Sequence, residues 1–224
     1  MINTHIHIDF NRVKRSHLSA QTIIVPSVGK ENWDKVCNYQ HYALGIHPWY
    51  IEKHSDSDLK LLENIIKRKK PIAIGECGLD FSLKRKLSRK NQLLFFKHQI
   101  ELAIMFDLPL IIHSVKSNNE VIENLKTRKN FGVIHGFYGS QEEMIKFTSM
   151  GFFIGIGHSI LQDNFKKMKS IVQSCPLDRI LLETDDKDPE NLSKIALRVS
   201  LIKGLSYDET VLACDRNAKK LFGI

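Results

Sequence analysis

Apolar, β-branched runs recur along the chain at short intervals: Ile2–Ile8, Thr22–Val28, Tyr42–Ile46, Ile72–Gly75, Leu108–Ile112, Gly132–Ile134, Phe152–Ile156 and Arg179–Leu182. Each has the length and residue choice of a buried strand. Between most of them the apolar positions shift to helical spacing. Leu59, Leu62 and Ile66 fall at i, i+3 and i+7 behind a Ser/Asp-rich stretch at 55–58, which is a helix-start signal. Leu93, Ile100, Ala103 and Ile104 line one face of a longer helix. Phe165, Met168 and Val172 repeat the pattern, as do Leu192, Ile195, Val199 and Ile202, and residues 207–222 read as a closing helix.

Strands alternating with helices predict a parallel sheet. With 224 residues there are about 28 per strand–helix unit, compact but sufficient for a closed barrel, which starts at about 200 residues. An open doubly wound sheet is the rival. It would advertise a Gly-rich phosphate loop after its first strand, where this chain has Asp9-Phe10-Asn11-Arg12. The first crossover, residues 10–20, is short and basic. The expected architecture is therefore an α/β fold, a (β/α)8 TIM barrel forming a single domain over 1–224, with a shortened first crossover.

Composition narrows the class of function. The chain is 42% hydrophobic and 26% charged, an ordinary globular balance. Its four cysteines (37, 77, 175 and 214) are too scattered for a zinc ribbon, a redox pair or a disulfide scaffold. No apolar run approaches the roughly 18 residues of a membrane span, and residues 1–9 lack the basic-then-apolar pattern of a secretory signal. A cytoplasmic location without membrane contact is expected. The net charge of +8 favours polyanionic partners.

Six of the ten histidines fall on or just after a predicted strand: His5 and His7, His47, His113, His135 and His158. Glu76 follows the fourth strand and Asp185 the eighth. In a barrel those strand ends carry the site. Strand alternation turns His5 and His7 to one face and Ile6 and Ile8 to the other. Taken singly, each has a plain structural explanation: satisfied histidines on a half-exposed strand, a solvated loop glutamate, a strand reaching water, a helix N-cap at Asp185. Taken together, four histidines, a glutamate and an aspartate at one end of five strands can hold two divalent ions with a carboxylate between them. Such sites suit phosphate-ester hydrolysis. A serine hydrolase is excluded for want of a Gly-x-Ser-x-Gly elbow, and Cys77 reads as strand packing.

The chain resembles the TatD-type metal-dependent deoxyribonucleases of the amidohydrolase superfamily. The resemblance runs in order through Thr-His-Ile-His-Ile-Asp (4–9), Leu-Gly-Ile-His-Pro (44–48), Ile-Gly-Glu-Cys-Gly-Leu-Asp (74–80) and Leu-Pro-Leu-Ile-Ile-His-Ser (108–114). It continues through Ile-His-Gly-Phe-Tyr-Gly-Ser (134–140), Leu-Leu-Glu-Thr-Asp (181–185), Asn217 and Phe222. It implies one metal on His5, His7, Glu76 and Asp185 and a second on Glu76, His113 and His135. The glutamate at 76 replaces the carbamylated lysine implied for phosphotriesterase-like members. The chain departs from the family at Val115-Lys116, where an arginine is usual, at Asp186-Lys187-Asp188 after the last ligand, and at His158, where a small residue is usual. These departures bear on substrate choice and leave the six ligands intact.

The expected activity is a metal-dependent hydrolase cleaving DNA phosphodiester bonds, from an end or on single strands, with two divalent ions (Mg, Mn or Zn). Asp185 and Glu76 are the expected catalytic residues. His47, Lys116 and the basic run Lys84-Arg85-Lys86 are expected substrate contacts, the run aided by Arg12, Lys14 and Arg15 in the first crossover. The alternatives are an amidohydrolase of small non-nucleotide esters or amides, and a barrel that binds nucleic acid without cleaving it.

Overall fold

The computed structural model describes residues 1–8, 21–82, 88–126, 131–162, 166–186 and 188–224. The strands in chain order are β1 (Ile2–Asn3), β2 (Thr22–Ile23), β3 (Val25–Pro26), β4 (Tyr42–Leu44), β5 (Ala73–Asp80), β6 (Leu110–Val115), β7 (Gly132–Ile134), β8 (Phe153–Ile156) and β9 (Ile180–Leu182). The helices are α1 (Trp33–Val36), α2 (Asp56–Lys69), α3 (Arg89–Phe106), α4 (Asn118–Leu125), α5 (Gln141–Ser149), α6 (Lys166–Ser174), α7 (Asn191–Lys203) and α8 (Tyr207–Phe222). Every predicted strand overlaps an observed one, and the second apolar run divides into β2 and β3. The fold is α/β, and the chain forms two compact units, Met1–Val25 with Ile134–Ile224, and Pro26–Val133.

In Pro26–Val133 the strands stand in sequence order, β3-β4-β5-β6-β7. Strand β5 runs parallel to both β4 and β6, and α2, α3 and α4 provide successive crossovers. All eight residues of β5 are buried, as expected of a parallel strand covered on both faces. Helix α3 packs on β5 through a face that includes the fully buried Phe96 and Ile100. Gln99 on the same helix is buried too, and it is matched: its Oε1 accepts from Ile46 N–H at 2.7 Å and its amide donates to Ile46 O at 3.1 Å. The end of β4 is thereby tied to α3 by a side chain that mimics a strand partner.

In the other unit β1 pairs with β2 and β8 with β9, both parallel. The Asn3 amide donates to Thr184 Oγ1 at 2.8 Å, and Thr184 N–H returns a bond to Asn3 Oδ1 at 3.1 Å. Asn217 on α8 donates to the carbonyls of Leu177 and Ile180 at 2.8 and 2.9 Å, which fixes the start of β9. Lys67, Arg68 and Lys69 occupy the last turn of α2, in Pro26–Val133, where they complement the helix dipole.

Two boundaries differ from the sequence reading. Strand β5 does not stop at Gly75 but continues to Asp80, so Glu76 lies inside the strand. The register against β6 shifts between Ile74 and Cys77, and this irregularity carries the strand past the polar residue. The first run keeps strand pairing at Ile2–Asn3, after which Ile6 makes a single parallel bridge to Asp185. The first crossover, with Arg12, Lys14 and Arg15, and the run Lys84-Arg85-Lys86 lie outside the described residues. No helix among the described residues is long and apolar enough to cross a membrane.

Helix α5 starts with a reciprocal capping box: Ser140 Oγ accepts from Glu143 N–H at 3.1 Å, and Ser140 N–H donates to Glu143 Oε2 at 2.6 Å. Ser140→Ala should cost about 1 kcal/mol. In urea the unfolding midpoint should fall with an unchanged slope.

Candidate metal centre

Each unit gathers side chains that could hold a metal ion. In Met1–Val25 with Ile134–Ile224, His5 and His7 turn to the same side while Ile6 between them is fully buried. Their Nε2 atoms face each other at 3.1 Å. Asp185, three residues beyond β9, is held against them by backbone bonds: its N–H donates to His5 O at 2.9 Å and His7 N–H donates to its carbonyl at 3.1 Å. Asp185 Oδ1 lies 3.6 Å from His5 Nε2 and 3.7 Å from His7 Nε2. Asp185 has φ of 56°, and α7 begins after Glu190, so this aspartate is not a helix cap.

These three donors have the chemistry and spacing of a divalent-metal face. Nitrogen and oxygen ligands at about 2.1 Å in a tetrahedral shell stand about 3.4 Å apart, close to the separations found. His135, immediately after β7, stacks on His5 with ring centroids 3.9 Å apart. Its Nδ1 lies 3.4 Å from Glu183 Oε1. Glu183 is fully buried and also accepts from Gly136 N–H at 2.5 Å.

In Pro26–Val133 the centre of the set is Glu76, buried on β5. Its Oε1 lies 3.0 Å from His113 Nδ1 and 3.2 Å from His47 Nε2. The far side of the His113 ring faces Asp80, with Nε2 3.4 Å from Oδ2. Asp80 in turn accepts from Trp49 Nε1 at 2.5 Å and from Ser82 N–H at 2.8 Å. Its backbone is clamped by Gln92. Burial pushes the Asp80 carboxyl up, but the hydrogen bonds from His113, Ser82 and Trp49 outweigh it and hold the group well below the usual carboxylate range. Cys77 takes no part in this chemistry. Burial first, and the charge of Glu76 second, push its thiol up, which removes it as a nucleophile.

His47, an expected substrate contact, is buried, with Nε2 3.2 Å from Glu76 Oε1 and Nδ1 accepting from Trp49 N–H at 3.1 Å. Lys116 is exposed directly after β6, with φ of 53°. Sequence reasoning misses Asp80, Trp49 and Glu183. A signal for Glu183 is present: a charged residue following Ile-Leu-Leu, one position before the strand would be expected to reach water.

An α/β fold of parallel strands carrying His/Glu/Asp clusters able to hold a metal ion is the framework a metal-dependent hydrolase requires. The chain belongs to the TatD family: residues 2–223 match the family of TatD related DNases. It is 32% identical over 255 residues to the uncharacterized metal-dependent hydrolase YjjV of Escherichia coli K12, covering 100% of this chain and 98% of that protein. The crystal structure of that TatD homologue superposes with a TM-score of 0.91 at 30% identity, over 100% and 98% of the two chains. A protein of Erwinia amylovora named 3'-5' ssDNA/RNA exonuclease TatD is 29% identical over 208 residues, covering 84% of this chain and 80% of that one.

The close approach of β5 to β6 beside Glu76 and His113 depends on Gly78. It has φ of +133°, and a Cβ there would collide with the His113 carbonyl oxygen. Gly78→Ala should destabilise the protein by roughly 2 kcal/mol or more through backbone strain, read as a lower urea midpoint.

Proposed function

We propose that the protein is a two-metal phosphodiesterase that hydrolyses DNA, working exonucleolytically on single strands or strand ends. The observation that carries this reading is the convergence of His5, His7 and Asp185 at divalent-metal spacing. The family membership and the exonuclease named among the relatives support it. In this reading His5, His7, Glu76 and Asp185 hold one ion and Glu76, His113 and His135 hold the other, with Glu76 shared. The chain is a single domain over 1–224, its strands closing a (β/α)8 barrel with a short first crossover, and it works in the cytoplasm.

Divalent ions held by these residues would supply Lewis acidity to a nucleophilic water and positive charge to the phosphoryl group. The protein's own part is positional and proton-handling. Asp185, half-exposed beside two buried imidazoles, is the group able to take the proton of an attacking water on a carboxylate oxygen. His113 is kept in orientation by Asp80. Lys84, Arg85, Lys86 and Lys116 contribute backbone-phosphate contacts.

The test is an assay of the purified protein on single- and double-stranded DNA and RNA with Mg, Mn or Zn. Metal-dependent cleavage silenced by chelator and restored by metal is the expected result. Full nuclease activity in excess chelator overturns the reading, and turnover of chromogenic esters without cleavage of nucleic acid favours the small-ester amidohydrolase.

Glu76→Ala should abolish turnover and lower the bound metal measured by elemental analysis. Asp185→Asn should fold, keep at least one metal and lose about 10²–10⁴-fold in rate, the scale of general acid–base help. Replacing Lys84, Arg85 and Lys86 by alanine should weaken DNA binding at all sequences. It should also flatten the salt dependence, by about one unit of slope or less for each phosphate no longer neutralised.

A further inference from the structure

The loop after β4 carries Trp49 beside Glu76 and its histidines in the Pro26–Val133 unit. Its Nε1–H is fixed on the buried Asp80 carboxylate, and its main-chain N–H donates to His47 Nδ1 at 3.1 Å. The indole centroid lies 4.9 Å from that of His47 and 5.8 Å from that of His113. Those two imidazoles meet it at 79° and 70°, so neither lies flat on it. Although its polar edge is engaged, Trp49 stays 36% exposed. With the main-chain N–H bonded to His47, that is more than its backbone could present, so ring carbons face solvent.

A single exposed apolar side chain is ordinary on a protein surface. Leu61, Leu94, Ile104 and Met105 of the same unit are such cases, all on α2 or α3. Trp49 differs in three respects. It is tied at both its main chain and its ring nitrogen, so little of its freedom remains to be lost when a partner stacks on it. It packs against the two imidazoles that stand beside Glu76. Lysines stand at neighbouring positions: Lys116 is exposed directly after Val115, which pairs with Asp80, and Lys53 Nζ lies over the ring of Tyr50, 5.6 Å from its centroid. Lys116 has φ of 53°, a conformation that costs a lysine free energy and that clusters at ligand sites. A rigid aromatic surface with ammonium groups nearby suits single-stranded nucleic acid: the cations take phosphates and the ring takes a base.

We propose that Trp49 is the stacking platform for the base of a nucleotide whose phosphate lies beside Glu76 and His113. This role rests on the nuclease reading and adds to it the residue that makes a single strand the better substrate. A base lying on the indole has left the stack of its neighbours, which a single strand permits at lower cost than a duplex. Stacking needs only a π-face, so every base is accepted, whereas a strand without bases forfeits the contact. The indole N–H has a separate task, its bond to Asp80, so substitution can divide the two.

The experiment compares an oligo-dA strand with an abasic strand of the same length built from tetrahydrofuran units, using the metal-loaded full chain. Trp49→Leu removes the ring and its N–H together, whereas Trp49→Phe removes the N–H and keeps a ring. The readout is kcat/KM on oligo-dA divided by that on the abasic strand, so loss of folded protein or a misplaced Asp80 acts on both rates alike. The wild type should favour oligo-dA and Trp49→Phe should keep most of that preference. Trp49→Leu should lower it by about fivefold to a hundredfold. Fluorescence gives a second readout, because the chain has two tryptophans and Trp33 is buried. On first mixing, oligo-dA should quench the wild-type emission more than the abasic strand does, and Trp49→Phe should abolish the difference. Should Trp49→Leu fail to fold, the fluorescence decides. Equal preference in the wild type and Trp49→Leu, or equal quenching by the two strands, overturns the inference while leaving the nuclease reading intact. Absence of metal-dependent cleavage of any strand by the wild type overturns the nuclease reading, and the stacking platform falls with it.

Discussion

A carboxylate withdrawn from water must be matched by hydrogen-bond donors or a cation, because an isolated buried charge is too costly to keep. Glu76, Asp80 and Glu183 are all buried in this protein, and the local structure around the first two is organised to satisfy them. Glu76 has two imidazoles and Asp80 an imidazole, an indole and a backbone amide, whereas Glu183 has a backbone amide on Oε1 and no hydrogen-bond partner on Oε2 among the described residues. At Glu76 and Asp80 the same contacts that satisfy a buried carboxylate also orient a histidine ring. The residues that make the interior tolerable there are also ones that could hold a metal ion.

Parallel strands suit this task because their ends bring side chains from distant parts of the sequence to one level. The price is local irregularity. Strand β5 must pass a glutamate, shift register and still pair with β6. Glycine at 78 permits this by letting the strand approach His113 more closely than a side chain would allow.

Much of this is legible in the sequence. Alternating apolar runs and helical spacing give the order of elements, since burial of one face is what those periodicities encode. Strand alternation alone places His5 and His7 on one face, and the short separation of their Nε2 atoms agrees with it. What is not legible depends on partners distant in sequence. A charged group flanked by glycines normally ends a strand, so Glu76 reads as a loop residue. Its burial becomes reasonable once His47 and His113 are placed beside it. Without that partner His47 cannot be told from a surface histidine, and Asp80 and Glu183 gain meaning only from the rings they face.

The link between His5 and Asp185 also bears on how the protein is made. Asn3 and Thr184, which bond to each other, are 181 residues apart in sequence. At about 5–20 residues per second, a ribosome needs roughly 10–35 s to reach Thr184 and Asp185 after emitting His5 and His7. Throughout that interval the two histidines lack their third donor and the strand edge that fixes their backbone. The His5–His7–Asp185 set is thus among the last features of the molecule to be assembled, and a nascent or truncated chain ending before residue 185 carries the two histidines without the carboxylate they face.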